Sequence, residues 1–167
     1  HPTMIPSEHQ LATVNGVFNA IYVVGDAVGE TMFFGEGAGS GPAASAVMGD
    51  VLEVARHIQA GIKPIVGCTC TDVVPILEME DLKTKYYLRF VVADRSGVLA
   101  ATADIFAKYD VSVQSVTQRG TKARNEVDLV FLTHTAEERN LRKVIEEILA
   151  LDGVVVGGEP SLVRVED

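Results

Sequence analysis

Two short segments carry residues whose types and spacing suit the binding of a small ligand. The first is the glycine-rich stretch at residues 35–41, which precedes Pro42 and a run of small residues. A glycine loop that opens a helix presents backbone N–H groups and the positive end of the helix dipole to an anion. Counted from Gly37, the last glycine of a G-x-G-x-x-G pattern is replaced by Pro42, so the dinucleotide fingerprint is absent. The loop is therefore either a tight strand-to-helix turn or a loop beside a cofactor that other residues bind.

The second segment is the turn at residues 94–97, which leads into a predicted helix. The Asp94 carboxylate can accept hydrogen bonds from an amino group, and the first N–H groups of the helix suit a carboxylate. Together they would hold a free amino acid at both charged ends, through charge-assisted hydrogen bonds of about 1.5–3 kcal/mol each. The simpler alternative is that Asp94 or Ser96 only caps the helix. Two residues of the next predicted strand share one parity and should project to one face, which completes a candidate effector-binding set of Asp94, Gly97, Val98, Ser112 and Gln118.

No catalytic constellation accompanies these segments. The histidines are isolated, and no serine, cysteine or histidine nucleophile stands in a pattern with a base. Cys68 and Cys70 are the only two cysteines and stand one residue apart, which excludes a disulfide framework and favours a reduced, cytosolic setting. A soft metal at Cys-Thr-Cys would need two further ligands, which the sequence does not place. We therefore predict neither a catalytic residue nor a metal site in this chain.

Composition limits the classes of protein that remain. The chain has 167 residues, 47% of them hydrophobic, and a formal net charge of −9. The acidic balance argues against binding to a nucleic-acid backbone, because few cations are available to displace counterions. No apolar run reaches the roughly 20 residues of a membrane span, so no membrane partner is expected. The length fits one domain or two small ones with a packed core.

The first part of the chain predicts a β-hairpin followed by a helix. Two apolar runs, at residues 17–24 and 31–34, flank a glycine-bounded turn, which is typical of a hairpin. Apolar residues occupy both parities of the first run, so we expect both faces of this strand to be covered. Pro42 and Gly61 mark the first turn and the end of a helix with an apolar stripe. Residues 62–83, punctuated by proline and glycine, indicate an extended connection.

Residues 84–167 have the clearest pattern. Alternating and periodic runs predict strand, helix, strand, strand, helix and strand, with Leu99 and Leu149 inside the two helices' buried faces and a last strand at residues 154–165. Thr135 followed by Glu138 predicts a capping box at the second helix. With right-handed crossovers, this order gives a ferredoxin-like antiparallel sheet with both helices on one face. Because a domain of about 80 residues buries a limited share of its surface, we expect self-association through the uncovered face or the sheet edge.

Two stretches resemble known families. The stretch GVFNAIYVVGDAVGETMFFGEGAGSGPAASAVMGDVLEVA resembles the C-terminal part of homoserine dehydrogenase, and YYLRFVVADRSGVLAATADIFAKYDVSVQSVTQ resembles the ACT domain that many bacterial members of that family carry. The resemblance implies an α+β chain, in which a ferredoxin-like βαββαβ ACT domain is preceded by a β-hairpin and helix segment of a truncated α/β dehydrogenase. It implies a remnant of the dimerisation and cofactor-return region at residues 1–61, a connection at 62–83 and a regulatory ACT domain at 84–167.

The resemblance also implies a function. The whole enzyme would reduce aspartate semialdehyde to homoserine with NAD(P)H for threonine and methionine biosynthesis, and Gly37 and Gly39 would touch the nicotinamide cofactor. The family's first cofactor motif and its catalytic lysine precede such a segment, so we expect the isolated chain to be inactive and to bind no cofactor by itself. ACT domains bind ligands between two copies near the first strand-to-helix turn, which favours an amino-acid effector, threonine first, and a homodimer or higher homo-oligomer. The alternative is a non-catalytic amino-acid-binding or assembly module.

Overall fold

The computed structural model describes residues 1–62, 73–121 and 125–166. Its strands and helices follow in chain order as β1 (Thr3–Met4), β2 (Phe18–Gly25), β3 (Gly29–Glu36), α1 (Ser40–Ala60), β4 (Lys83–Ala93), α2 (Val98–Lys108), β5 (Val113–Thr121), β6 (Glu126–Thr133), β7 (Ala136–Glu137), α3 (Glu138–Leu149) and β8 (Ser161–Val165). Its contacts group the chain into two units, one of His1–Ile5 with Pro75–Asp167 and one of Pro6–Val74. The domain limits at residues 61 and 83 expected from the sequence stay a prediction.

The unit of residues 6–74 contains the predicted hairpin and helix. β2 and β3 pair antiparallel along their whole lengths, with Gly25 opposite Gly29 at the turn, which confirms the hairpin. α1 ends at Gly61, whose left-handed backbone (φ 65°) lets its N–H bond back to the last turn of the helix. The apolar side chains on both faces of the hairpin and along α1 are exposed, so the described residues of this unit do not supply the expected cover. Exposed apolar surface of this kind is typical of a segment that other parts of a protein cover.

The other unit is one sheet with two helices. Its strands lie in the order β1-β8-β4-β6-β5; the four long strands pair antiparallel, and β1 adds to β8 in parallel. Alternate residues of β4 and β6 are buried with the inward faces of α2 and α3, and the rings of Phe90, Phe106 and Phe131 meet in this core. The arrangement β8-β4-β6-β5 with its two helices is the predicted ferredoxin-like βαββαβ fold, so the α+β fold class is confirmed.

Tertiary contacts change several boundaries that the sequence predicted. The last strand is shorter than predicted, because only Ser161–Val165 forms β8 and Val155 makes a single bridge with Val92. Leu99 and Leu149, predicted as buried, are 43% and 46% exposed. β1 and β7 have two residues each and no sequence signal, because pairing with β8 and β4 creates them.

The predicted capping box at α3 is wrong. The N-cap of α3 is Glu137, which makes no side-chain cap hydrogen bond. The Glu138 side chain is instead fully buried and accepts hydrogen bonds from Arg142 at 2.7 Å and from Arg164 at 2.5–2.8 Å. Glu138 pairs with Arg164, 26 residues further along the chain, and does not form the local capping hydrogen bond. A buried carboxylate needs charged partners, which the cap does not supply.

Candidate functional site

The turn between β4 and α2 leaves the start of the helix uncapped. β4 ends at Ala93 and α2 begins at Val98, with Gly97 as the N-cap. Gly97 has a left-handed backbone (φ 92°), and no side chain makes a cap hydrogen bond there. Asp94 and Ser96 therefore do not cap α2, and the first N–H groups of the helix remain available to a ligand.

A cavity of about 290 Å³ opens at this turn. Residues 92–99 form one side, and Gln118 of β5 with Val127 and Leu129 of β6 forms the other. The Gln118 Nε2 donates to Asp94 Oδ1 at 3.5 Å, so two of the predicted site residues face each other. The structure thus brings together four of the five predicted effector residues, namely Asp94, Gly97, Val98 and Gln118.

Ser112 does not line this cavity. It precedes β5 and is exposed, and its carbonyl oxygen accepts from the His134 N–H at 2.9 Å. β5 is irregular between Val113 and Ser115, which interrupts the alternation on which the shared parity of Ser112 and Gln118 depends. A role for Ser112 in ligand binding stays a prediction.

The groups around the cavity have the chemistry that an amino acid requires. The Asp94 carboxylate can pair with an ammonium group, and the uncapped N-terminus of α2 can bind a carboxylate. Val127 and Leu129 are 6% and 1% exposed, so they add a small apolar area behind these polar groups. The cavity therefore suits a small zwitterion with a short side chain.

Two backbone contacts that the sequence analysis missed support the turn. The Asp94 N–H donates to the carbonyl oxygen of Asn125 at 2.8 Å, and the Ala93 N–H donates to that of Val154 at 2.9 Å. Successive amides at the end of β4 thus bond to opposite neighbours, as they do within a sheet. The signal for the first contact is the asparagine directly before β6, since asparagine tolerates the left-handed turn conformation.

The glycine loop places Gly37 and Gly39 directly before α1. Gly39 has φ 124°, a backbone conformation that side chains rarely adopt, and a Cβ at Gly37 would lie 2.3 Å from Asn19 Nδ2. Gly39 therefore needs glycine for its backbone, whereas a side chain at Gly37 would require the Asn19 side chain to move. α1 has no side-chain cap, so its first N–H groups and the two bare glycines fit the edge of a nicotinamide cofactor, although Glu36 adds negative charge beside them. Contact between Gly37 or Gly39 and NAD(P) stays a prediction.

Other parts of the structure offer less chemistry. A larger cavity of about 400 Å³ lies beside Arg89 and Asp128, but these two side chains already pair with each other at 3.0 Å. Within residues 1–62, 73–121 and 125–166, no three His, Cys, Asp or Glu side chains are grouped to hold a metal ion. The same ranges contain no helix with the length and apolar character of a membrane span. Cys68 and Cys70 lie outside the described residues.

Fold, turn and cavity together define a class of protein. Residues 86–153 match the family model of the ACT domain, and the unit that contains them has that domain's sheet and helix arrangement. Residues 1–52 match the family model of homoserine dehydrogenase. Residues 1–52 are thus similar to part of homoserine dehydrogenase and residues 86–153 to the ACT domain, in the predicted order, and the resemblance found in the sequence is confirmed.

Relatives match along nearly the whole chain. The homoserine dehydrogenase of Helicobacter pylori is 36% identical over 167 residues, which are 100% of this chain and 38% of that protein. The Synechocystis enzyme is 38% identical over 170 residues, covering 99% of this chain and 39% of its own length. A crystal structure of a homoserine dehydrogenase from Thiobacillus denitrificans, 40% identical, superposes with a TM-score of 0.83 over 100% of this chain and 38% of that one. The chain therefore spans under two fifths of the length of these relatives.

Proposed function

We propose that this chain is the part of a homoserine dehydrogenase that carries its ACT domain, and that the ACT domain binds a small amino acid as a regulatory effector. The observation that carries the proposal is the cavity at the β4–α2 turn, where the Asp94 carboxylate and the uncapped start of α2 stand beside Gln118. The two charged ends of an amino acid need these two kinds of group. Threonine is the first candidate, because the whole enzyme would serve threonine biosynthesis.

The whole enzyme would reduce aspartate semialdehyde to homoserine with NAD(P)H, in the cytoplasm. The names and the similarity of the relatives support this assignment. Gly37, Gly39 and the first N–H groups of α1 would lie beside the cofactor, which supplies the hydride when it is bound. The groups that bind and protonate the substrate would come from parts of the enzyme beyond this segment.

The isolated chain is expected to show no homoserine dehydrogenase turnover. Its sequence has no G-x-G-x-x-G motif and no lysine beside a carboxylate in a glycine-rich context. The measurement is nicotinamide absorbance with homoserine and either NAD⁺ or NADP⁺, with a full-length relative as the positive control. Turnover above the rate of the enzyme-free blank would contradict the assignment of the catalytic groups to another segment.

We further propose that the effector site is completed by a second copy of the chain. Within the described residues, β5 and the two-residue β1 are the edges of the sheet, and β5 is the long edge strand. Gln118 lies on this edge strand and faces Asp94, so a copy paired along β5 would stand beside the cavity. A homodimer or higher homo-oligomer would then enclose the ligand.

Threonine is expected to bind in the micromolar to millimolar range. Two charge-assisted hydrogen bonds of about 1.5–3 kcal/mol each, and a small apolar contact, give affinities of this order. Calorimetric titration with threonine and isoleucine, with the oligomeric state followed by light scattering, measures it. No heat from either amino acid at millimolar concentration, with the oligomer intact, would contradict the regulatory proposal.

A non-catalytic amino-acid-binding module is the second candidate. It is favoured by one observation: all buried core residues of the described chain lie between Tyr86 and Val154, inside the ACT unit. Such a unit can hold a ligand site without the help of residues 6–62. A preceding coding sequence with G-x-G-x-x-G and a lysine-bearing helix would support the dehydrogenase, whereas any other preceding sequence would support the module.

A further inference from the structure

We propose that Asn125 is a positioning residue for the effector site, acting through the backbone of Asp94. The proposal rests on the proposed function, because it concerns the same cavity. Asn125 does not line the cavity, and its side chain is exposed. Its carbonyl oxygen accepts the Asp94 N–H at 2.8 Å, so Asn125 directly contacts the backbone of the residue whose carboxylate would bind the ligand.

The direction of the Asn125 carbonyl depends on an unusual backbone. Asn125 has φ 50°, and it shares a positive φ with Asp110 alone among the described residues other than glycine. Asparagine tolerates this left-handed region, whereas a β-branched side chain does not. A residue that forces φ negative at position 125 would turn the carbonyl away from Asp94.

The sheet explains why this one hydrogen bond matters. Ala93 and Glu126 are the last residue pair of the β4–β6 ladder, and the bond from Asp94 to Asn125 continues the ladder one residue beyond it. It therefore fixes Asp94 where the strand would otherwise fray, with its Oδ1 3.5 Å from Gln118 Nε2.

The opposite side of the turn is held as well. The Ala93 N–H donates to Val154 at 2.9 Å, and the Arg95 guanidinium donates to the carbonyl oxygen of Asp152 at 3.3 Å. Because Ala93 and Arg95 both bond to the opposite side, the Asp94 N–H makes the only backbone hydrogen bond from the turn at residues 94–97 to the β5–β6 side within the described part of the chain. Loss of the Asn125 acceptor should thus free Asp94 and leave the fold of the turn in place.

Two variants and one control test the proposal in the full chain. Asn125→Val should speed hydrogen exchange of the Asp94 amide about tenfold and weaken threonine binding at least about fivefold, whereas Asn125→Gly, which adopts positive φ freely, should match the wild type in both. Asp110→Val introduces the same backbone strain at the far end of α2, where the Asp110 N–H bonds to Ala107. It should lower stability and change neither the Asp94 amide nor the affinity.

The outcomes separate this inference from the proposed function. Unchanged exchange of the Asp94 amide in Asn125→Val would overturn the positioning role, and so would an equal loss of affinity in Asn125→Val and Asp110→Val. If the wild-type chain binds neither threonine nor isoleucine, the proposed function fails, and the exchange rates of the free chain still decide whether Asn125 holds Asp94. Faster exchange in Asn125→Val with rescue by Asn125→Gly supports it.

Discussion

A Glu138→Gln chain is expected to unfold its ACT domain with a free energy of unfolding about 3 kcal/mol below that of the wild type at neutral pH. The Glu138 carboxylate is fully buried and accepts from Arg164 at 2.5–2.8 Å and from Arg142 at 2.7 Å. Glutamine keeps the shape of the side chain and removes its charge. Arg164, whose side chain is 12% exposed, would then hold a buried positive charge opposite a neutral amide. Removal of one member of a buried ion pair costs more than the pair itself contributes.

The same carboxyl makes the stability depend on pH. Burial acts to raise the pKa of Glu138, but hydrogen bonds and positive charge from Arg164 and Arg142 outweigh burial and hold the pKa below its usual value. A carboxyl whose pKa is lower in the folded state stabilises fully above the pKa of the unfolded chain, and this stabilisation disappears as pH falls through the folded-state pKa. The difference between wild type and Glu138→Gln should therefore shrink as the pH falls below 4.5, the ordinary value for glutamate.

The free energy of unfolding is measured by urea denaturation, with the unfolding monitored by hydrogen exchange of peptides from β4 and α3. These peptides report on the ACT domain alone. Glu137→Gln is the matched control, because Glu137 also pairs with a cation, Lys83, at 2.9 Å. Those two side chains are 36% and 65% exposed, so their pairing is worth under about 1 kcal/mol. We call Glu138, Arg142 and Arg164 the Glu138 cluster. Equal losses of unfolding free energy in the two variants, with no dependence on pH, would show that burial of this cluster has no special effect on stability.

The Glu138 cluster also holds the segment that enters the ACT domain. The Glu138 N–H donates to the carbonyl oxygen of Leu82 at 2.9 Å, and the Tyr86 hydroxyl donates to the same oxygen at 3.4 Å. Burial, with the neighbouring charge of Glu138, raises the pKa of Tyr86 to about 12, so this hydroxyl remains a donor throughout the neutral range. A substitution in the cluster would therefore alter the hydrogen bonds to the carbonyl oxygen of Leu82, which directly precedes β4.

Those parts of the fold that depend on local pattern could be predicted from the sequence. Alternation in β4 and β6 and the helical period in α2 and α3 arise because each element buries one side. The missed features depend on partners far along the chain. β1 exists because β8 lies beside it, and Glu138 turns inward because Arg164 is there. Neither partner can be identified from the residues around these positions.

The candidate site likewise contains residues that local sequence predicts and residues that it does not. Asp94, Gly97 and Val98 are neighbours in sequence, so one turn brings them together. Ser112 lies outside the cavity because β5 is irregular between Val113 and Ser115, and no residue type in this stretch predicts that irregularity. Asn125 was missed for a different reason: its residue type indicates a left-handed turn, but the contact with Asp94 uses a carbonyl oxygen, which every residue possesses.

Asp94→Asn is expected to weaken threonine binding by about tenfold to a hundredfold. Asparagine keeps the shape of the side chain and can still accept a hydrogen bond, but it lacks the negative charge that attracts an ammonium group. In the free chain the neutral Gln118 amide lies 3.5 Å from Asp94 Oδ1, where it occupies the place of a ligand donor. A charged ligand displaces this neutral donor because its hydrogen bond to a carboxylate is stronger, and that advantage disappears with the charge.

Asp128→Asn is the matched control, because it changes the net charge by the same amount at a carboxylate that pairs with Arg89 and does not line the effector cavity. Its affinity for threonine should stay within about twofold of the wild type. A second ligand, 3-hydroxybutyrate, is threonine without its amino group, so it offers Asp94 nothing to bind. Wild type and Asp94→Asn, each titrated with both ligands, form a cycle in which the loss should be confined to threonine. An equal loss for both ligands would mean that Asp94 shapes the turn and that the amino group is recognised elsewhere.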